Sequence, residues 1–159
     1  MTNDPHHAFD FWIGEWDVFG PQGKQVGRNS ITSMFAGQSG GMLHEHWHGS
    51  GDIEGRSVNA YDEARDCWHQ TWMDSTGGVL LLDGGMRDGG MVLEGRAPSD
   101  EDPSRIDIQR ITWTRDGDEV RQVWETSTDD GKTWTVAFDG RYRRREASTS
   151  QPRRGHCEP

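Results

Sequence analysis

The chain has 159 residues, a length typical of one domain with a single hydrophobic core. Its formal net charge of −10 argues against the basic surface that nucleic-acid binding requires, so we expect no nucleic-acid partner. No apolar run approaches the length of about 18 residues that a membrane helix needs, and no export signal is evident at the N-terminus. We therefore expect no membrane partner and a cytoplasmic location.

In chain order, the first element predicted is one helical turn near residues 4–11, with Asp4 as its cap and Pro5 at its first position. After it, segments that alternate apolar and polar residues are separated by Gly-Gly or Asp-Gly pairs, which tolerate the positive φ angles of hairpin turns. The Asp-Gly pairs begin at Asp83, Asp88, Asp116, Asp130 and Asp139. This pattern predicts ten strands, at residues 14–20, 24–35, 41–49, 53–61, 66–74, 78–83, 89–96, 105–115, 119–127 and 132–143.

A meander of about ten short strands closes most economically into an antiparallel up-and-down barrel, because closure removes both exposed sheet edges. We therefore predict an all-β fold with one barrel domain at residues 1–146. Residues 147–159 are rich in Ser, Pro and Arg, lack apolar periodicity and are predicted to form a disordered tail. In the last strand, alternation places four apolar residues on one face: Trp134, Val136, Phe138 and Tyr142.

The N-terminal segment FDFWIGEWDV contains Gly14-x-Trp16 at the start of the first predicted strand. This resembles the G-x-W opening of lipocalins and related calycins. The resemblance implies that Trp16 plugs one end of the barrel and that a late arginine, such as Arg141 or Arg143, packs on it. Together with EGRSVNAYDEARDCWHQTW and RQVWETSTDDGKTW, the segment is also similar to a group of bacterial calycin-like domains whose activity is not settled. That resemblance covers residues 9–143 and implies the fold rather than an activity.

Tryptophan is unusually frequent, with eight residues against five Phe and two Tyr. On one face of three predicted strands, alternation brings indole rings together with two polar side chains. Aromatic walls with a few convergent polar groups are typical of small-molecule pockets, although a filled tryptophan-rich core would use the same residues. The predicted ligand-binding residues are Glu45, Trp47, Trp68, Gln70, Trp72 and Trp124.

Histidines occupy the opposite face of the strand at residues 41–49. His44, His46 and His48 share that face at a period of two, and His69 follows on another strand, so imidazoles could meet at one divalent ion or haem iron. Glu54 follows His46-x-His48 at a spacing slightly longer than the cupin pattern. If these histidines point outward instead, the tryptophan face lines the interior.

The sequence therefore predicts a barrel that binds a small, partly apolar molecule, and it assigns neither catalytic nor metal-ligating residues. The alternative is a metal-dependent cupin-like enzyme or a haem-binding barrel that uses His44, His46, His48 and His69. Arg56 or Arg110 could also place a guanidinium inside the barrel, opposite Glu45 or a ligand carboxylate. An oligomer is possible and would use exposed tryptophans, for which Trp12 and Trp134 are the candidates. No particular cofactor follows from the residues.

Overall fold

In the computed structural model, which describes residues 3–37 and 40–146, ten antiparallel strands close into one up-and-down barrel. Each strand pairs with the next along the chain, and the last pairs with the first. The strands are β1 (Gly14–Phe19), β2 (Gln25–Ser33), β3 (Met42–Gly49), β4 (Glu54–Asp62), β5 (Cys67–Asp74), β6 (Val79–Arg87), β7 (Gly90–Pro98), β8 (Ile106–Asp116), β9 (Glu119–Ser127) and β10 (Thr135–Arg144). The predicted all-β barrel of about ten strands is confirmed. The predicted disordered tail lies outside the described residues.

Two of the predicted Asp-Gly turns lie inside strands. Asp83-Gly84 belongs to β6, so the turn predicted there is wrong. Asp139-Gly140 belongs to β10, as the strand predicted at residues 132–143 already implied. A side chain at Gly84 would overlap the carbonyl oxygen of Val92, which shows that this glycine permits a close approach of neighbouring strands. Asp88-Gly89 does form a tight hairpin turn, with φ angles of 50° and 80°.

The start of β10 departs from simple alternation. The pairing register with β9 shifts between Val136 and Phe138, because an extra residue is accommodated there. Phe138 consequently lies opposite Trp124 and faces the interior, whereas Val136 lies opposite Glu125 and is 56% exposed. The prediction that Val136 shares the face of Phe138 and Tyr142 is therefore wrong.

An aromatic plug closes one end of the barrel. Two short 3₁₀ turns, Pro5–His7 and Asp10–Trp12, replace the single predicted helical turn, with Asp4 as the N-cap and Pro5 in the first turn as expected. They bring Phe9 and Trp12 against Trp113, with ring centroids 5.1 and 5.3 Å away from the Trp113 ring. Trp12 is fully buried, so its proposed role as an exposed contact residue is wrong.

Trp16 lies beside this plug at the start of β1. Its indole nitrogen donates a hydrogen bond of 2.8 Å to the carbonyl oxygen of Trp12. The guanidinium of Arg144 lies 4.3 Å from the centre of the Trp16 ring and donates to the carbonyl oxygen of Ile13. The arginine that packs on Trp16 is thus Arg144 rather than Arg141 or Arg143.

No described helix has the length and apolar character needed to span a lipid bilayer.

Candidate functional site

A cavity of about 340 Å³ lies inside the barrel, on the far side of the core from the aromatic plug. Ser50 and Thr76, which sit in the β3–β4 and β5–β6 hairpins, mark its mouth. Aromatic and aliphatic side chains form its walls, and several polar side chains lie deeper in it. The aromatic wall residues are Trp47, Trp72, Trp124 and Phe138, and the polar floor residues are Glu45, Gln70, Gln122 and Tyr142.

Glycines on the interior face make room for two of the wall rings. A Cβ atom at Gly27 would lie 2.6 Å from the Trp47 ring, and one at Gly55 would overlap the Trp72 ring. Each indole therefore lies flat over a neighbouring strand instead of filling the barrel lumen. This arrangement leaves space between the rings.

Hydrogen bonds and ring contacts fix the aromatic walls. The indole nitrogen of Trp124 donates to Oε1 of Gln109 over 2.6 Å, and that of Trp72 donates to Oδ2 of Asp74 over 3.1 Å. Trp47 meets Phe138 edge to face, with ring centroids 5.9 Å apart. The walls are therefore held in place without a ligand, as a preformed pocket requires.

Glu45 lies at the floor of the cavity and is 4% exposed. Its two carboxyl oxygens accept hydrogen bonds of 2.7 Å, one from Nδ2 of Asn29 and one from Oγ of Ser57. Burial raises the pKa of Glu45 to about 7, although both hydrogen bonds oppose the shift. At neutral pH the carboxyl group is thus divided between its acid and its carboxylate form.

The hydrogen bonds of Glu45 continue through neighbouring strands. Nδ2 of Asn59 donates to Oγ of Ser57, and Nε2 of Gln70 donates to Oδ1 of Asn59, each over 2.8 Å. On the other side, Asn29 also donates to the hydroxyl of Tyr142, which donates to Gln122. We call this set the polar belt: Asn29, Glu45, Ser57, Asn59, Gln70, Gln122 and Tyr142.

The polar belt is rich in acceptors. Within the described part of the chain, Oδ1 of Asn29 is buried and has no hydrogen-bond donor. Burial, followed by the charge of Glu45, keeps the pKa of Tyr142 well above its usual value, so its hydroxyl is neutral. The belt therefore separates the apolar plug from the cavity and presents a titratable acid at its centre.

A second carboxylate, Asp74, lies at the mouth of the cavity. Burial acts to raise its pKa, but hydrogen bonds from Thr76, Trp72 and the backbone of Gly78 outweigh that effect. The net result is a pKa below the usual value, so Asp74 is ionised at neutral pH. The mouth thus carries a permanent negative charge.

Of the six residues predicted to bind a ligand, five line the cavity: Glu45, Trp47, Gln70, Trp72 and Trp124. Trp68 does not. It is 2% exposed, packs 5.5 Å from Phe9 and donates to the carbonyl oxygen of Pro5, all at the plugged end. Trp68 therefore belongs to the plug.

Sequence reasoning missed several functional candidates: Asn29, Ser57, Asp74, Phe138 and Tyr142. A signal for the first two was present, because Gly27, Asn29 and Ile31 alternate on one face, as do Gly55, Ser57 and Asn59. Small and polar residues on an interior face resemble a solvated face in sequence, and only the closed barrel distinguishes the two. Asp74 gave no such signal, since it lies where a strand ends.

The two arginines considered for the interior lie on the outer face. Arg56 is more than half exposed and lies 3.7 Å from Glu54. Arg110 lies 3.7 Å from the centre of the Trp134 ring and donates to Glu125. Among the described residues, no Lys, Arg or His lines the cavity.

The histidines of β3 also point outward, opposite to Glu45 and Trp47. Nε2 of His46 lies 2.5 Å from Oε1 of Glu54, and the rings of His46 and His48 are 4.0 Å apart. One potential ligand atom from each of His46, His48 and Glu54 lies within 4.8 Å of the other two. These three residues form what we call the outer histidine cluster.

The other two candidate histidines do not join this cluster. His44 lies 3.4 Å from Arg56, and burial together with that charge lowers the pKa of His44. His69 contacts Asp83 and Thr71 on the outer face of β5 and β6. A site made of all four histidines is therefore not formed.

No protein-family model matches the chain, and no curated protein matches it. The geometry of the cavity and of the outer histidine cluster is therefore what indicates a function.

Proposed function

We propose that the protein is a calycin-like barrel that binds a small, partly apolar molecule in the cavity. The main observation in support is a preformed space of about 340 Å³ between Trp47, Trp72 and Trp124, with the polar belt at its floor. The volume lies within the range of about 300–1,000 Å³ common for ligand sites. Glu45 and Gln70 would orient the ligand, while the indole rings would bury its apolar part.

The calycin-like assignment is supported by the plugged end. Trp16 of the Gly14-x-Trp16 segment lies at the start of β1 with Arg144 stacked on it. This is the relation that the resemblance to calycins implies between the first strand and a late arginine.

The proposal can be tested with N-phenyl-1-naphthylamine, an uncharged fluorophore whose emission rises in apolar surroundings. We expect saturable enhancement with the wild-type protein, and at least tenfold weaker binding by W72L because a cavity wall is removed. W134L is the matched control, since Trp134 lies on the outer face against Arg110. Absence of enhancement, or equal weakening in both variants, would contradict the proposal.

A second candidate is a divalent metal site at the outer histidine cluster. The observation in its favour is the proximity of His46, His48 and Glu54, whose nitrogen and oxygen atoms suit zinc and similar ions. The cluster lies on the opposite side of β3 from the cavity, so its metal would not meet a ligand held there. A haem inside the cavity would find no histidine among the described lining residues.

A further inference from the structure

The charges around the cavity are all of one sign. Among the described residues, its lining includes the carboxyl groups of Glu45 and Asp74 and no basic side chain. Asp74 marks the mouth and Glu45 the floor, so a ligand would pass one acid and reach another. An anionic ligand would find no counter-charge there, whereas a cationic ligand would find two.

The aromatic walls favour the same sign of charge. Indole and phenyl rings attract cations through the negative potential of their faces, and indole does so most strongly. Trp47, Trp72, Trp124 and Phe138 supply four such rings around one space. Aromatic groups surrounding a space with an acid at its base are suited to an ammonium group that water no longer solvates.

The groups bonded to Glu45 supply no positive charge. Its two oxygens accept hydrogen bonds from the neutral side chains of Asn29 and Ser57. The carboxylate form of Glu45 therefore has no counter-charge among the described lining residues, and a cationic ligand would supply one.

We propose that the cavity selects organic cations, with an ammonium group bound between the indole walls and the carboxylate of Glu45. This rests on the proposed function, since it names the class of ligand for the same cavity. The apolar remainder of the ligand would lie among the rings, and Asp74 would attract the cation at the mouth. Arg56 and Arg110 do not compete with the ligand, because both lie outside.

The test compares two probes of the same shape, benzyltrimethylammonium and neopentylbenzene, in which carbon replaces the charged nitrogen. Each is used to displace N-phenyl-1-naphthylamine from the full chain in about 0.15 M salt, which screens the charge of the outer surface. At pH 8 we expect the cation to displace the fluorophore at a concentration at least tenfold lower than its neutral isostere.

Variants of Glu45 and Asp74 test whether these two acids cause the preference for the cationic probe. E45Q should lose most of the preference for the cation, D74N should lose part of it, and E146Q, an exposed change of equal charge, should keep it. The comparison of the two probes with D74N and with the wild-type protein provides the same test if E45Q does not fold. Equal displacement by both probes, or a preference that survives both cavity variants, would overturn cation selectivity. If the fluorophore still binds in those cases, the proposed function stands; failure of all three compounds to bind would overturn both.

Discussion

Asn29 donates a hydrogen bond of 2.7 Å to Glu45, and the same amide nitrogen reaches the hydroxyl of Tyr142 at 3.0 Å. One buried amide on β2 thus joins the acid of β3 to the phenol of β10. The bonds hold the carboxyl group at the cavity floor, yet they do not cancel the effect of burial on its pKa. This arrangement has consequences for stability that can be measured.

The stability of the protein should contain a contribution from Glu45 that decreases with rising pH. The ordinary pKa is 4.5 and the folded value is about 7, so between these values the folded state holds a proton that the unfolded state has released. The loss in the free energy of unfolding caused by ionising the buried Glu45 reaches about 3 kcal/mol above pH 7, at about 1.4 kcal/mol per pKa unit. Urea unfolding of E45Q should therefore show a gain relative to wild type as pH rises from 4.5 to 7. E146Q should show no such gain, and parallel curves for wild type and E45Q would contradict the prediction.

Replacement of Gly55 by alanine should destabilise the protein, although it adds only a methyl group. In G55A the new methyl group would collide with the Trp72 ring, so we expect a loss of about 1–3 kcal/mol and weaker binding of N-phenyl-1-naphthylamine. Gly85 of β6 has no atom within 4 Å of its Cβ position and provides the matched control. G85A should change the free energy of unfolding by less than about 0.5 kcal/mol. Equal stability and equal binding in the two variants would show that Trp72 does not depend on Gly55.

Arg144 should stabilise the plugged end through its stacking on Trp16 and its bond to the carbonyl oxygen of Ile13. Loss of both contacts in R144A should cost about 1–2 kcal/mol in chemical denaturation. R144K should fall between R144A and wild type, because an ammonium group keeps the charge but not the planar stack. R87A, an exposed change at the end of β6, should be close to neutral. A loss in R87A as large as in R144A would contradict the assigned contacts.

The outer histidine cluster should bind zinc if its three ligand atoms can share one ion. Calorimetric titration of protein purified without an affinity tag should give one Zn²⁺ per chain. H48A should abolish that binding, because only His46 and Glu54 of the cluster would remain. H69A should retain it, since His69 lies with Asp83 and Thr71 on the outer face of β5 and β6. If H48A still bound zinc, or if H69A did not, the ion would bind outside the outer histidine cluster.

Much of the cavity could be predicted because alternation along a strand determines which side chains share a face. The assignment of Glu45 and Trp47 to one side of β3, and of His46 and His48 to the other, required only that rule. Alternation does not determine how far along the barrel axis each side chain lies. Trp68 and Trp72 share a face of β5 but lie about 13 Å apart along it, at about 3.3 Å per residue. One belongs to the plug and the other to the cavity.

The sequence by itself determined the number of strands, their order around the barrel and which side chains of β3 share a face, because hairpin turns and period-two alternation are local properties. Tertiary structure alone decided three further features. The N-terminal turns fill the end where Trp68 lies and leave the end where Trp72 lies open. The bulge at the start of β10 turns Phe138 inward and Val136 outward. Closure of the barrel brings Tyr142 of β10 to Asn29 of β2, which also donates to Glu45, and burial of this network raises the pKa of the acid.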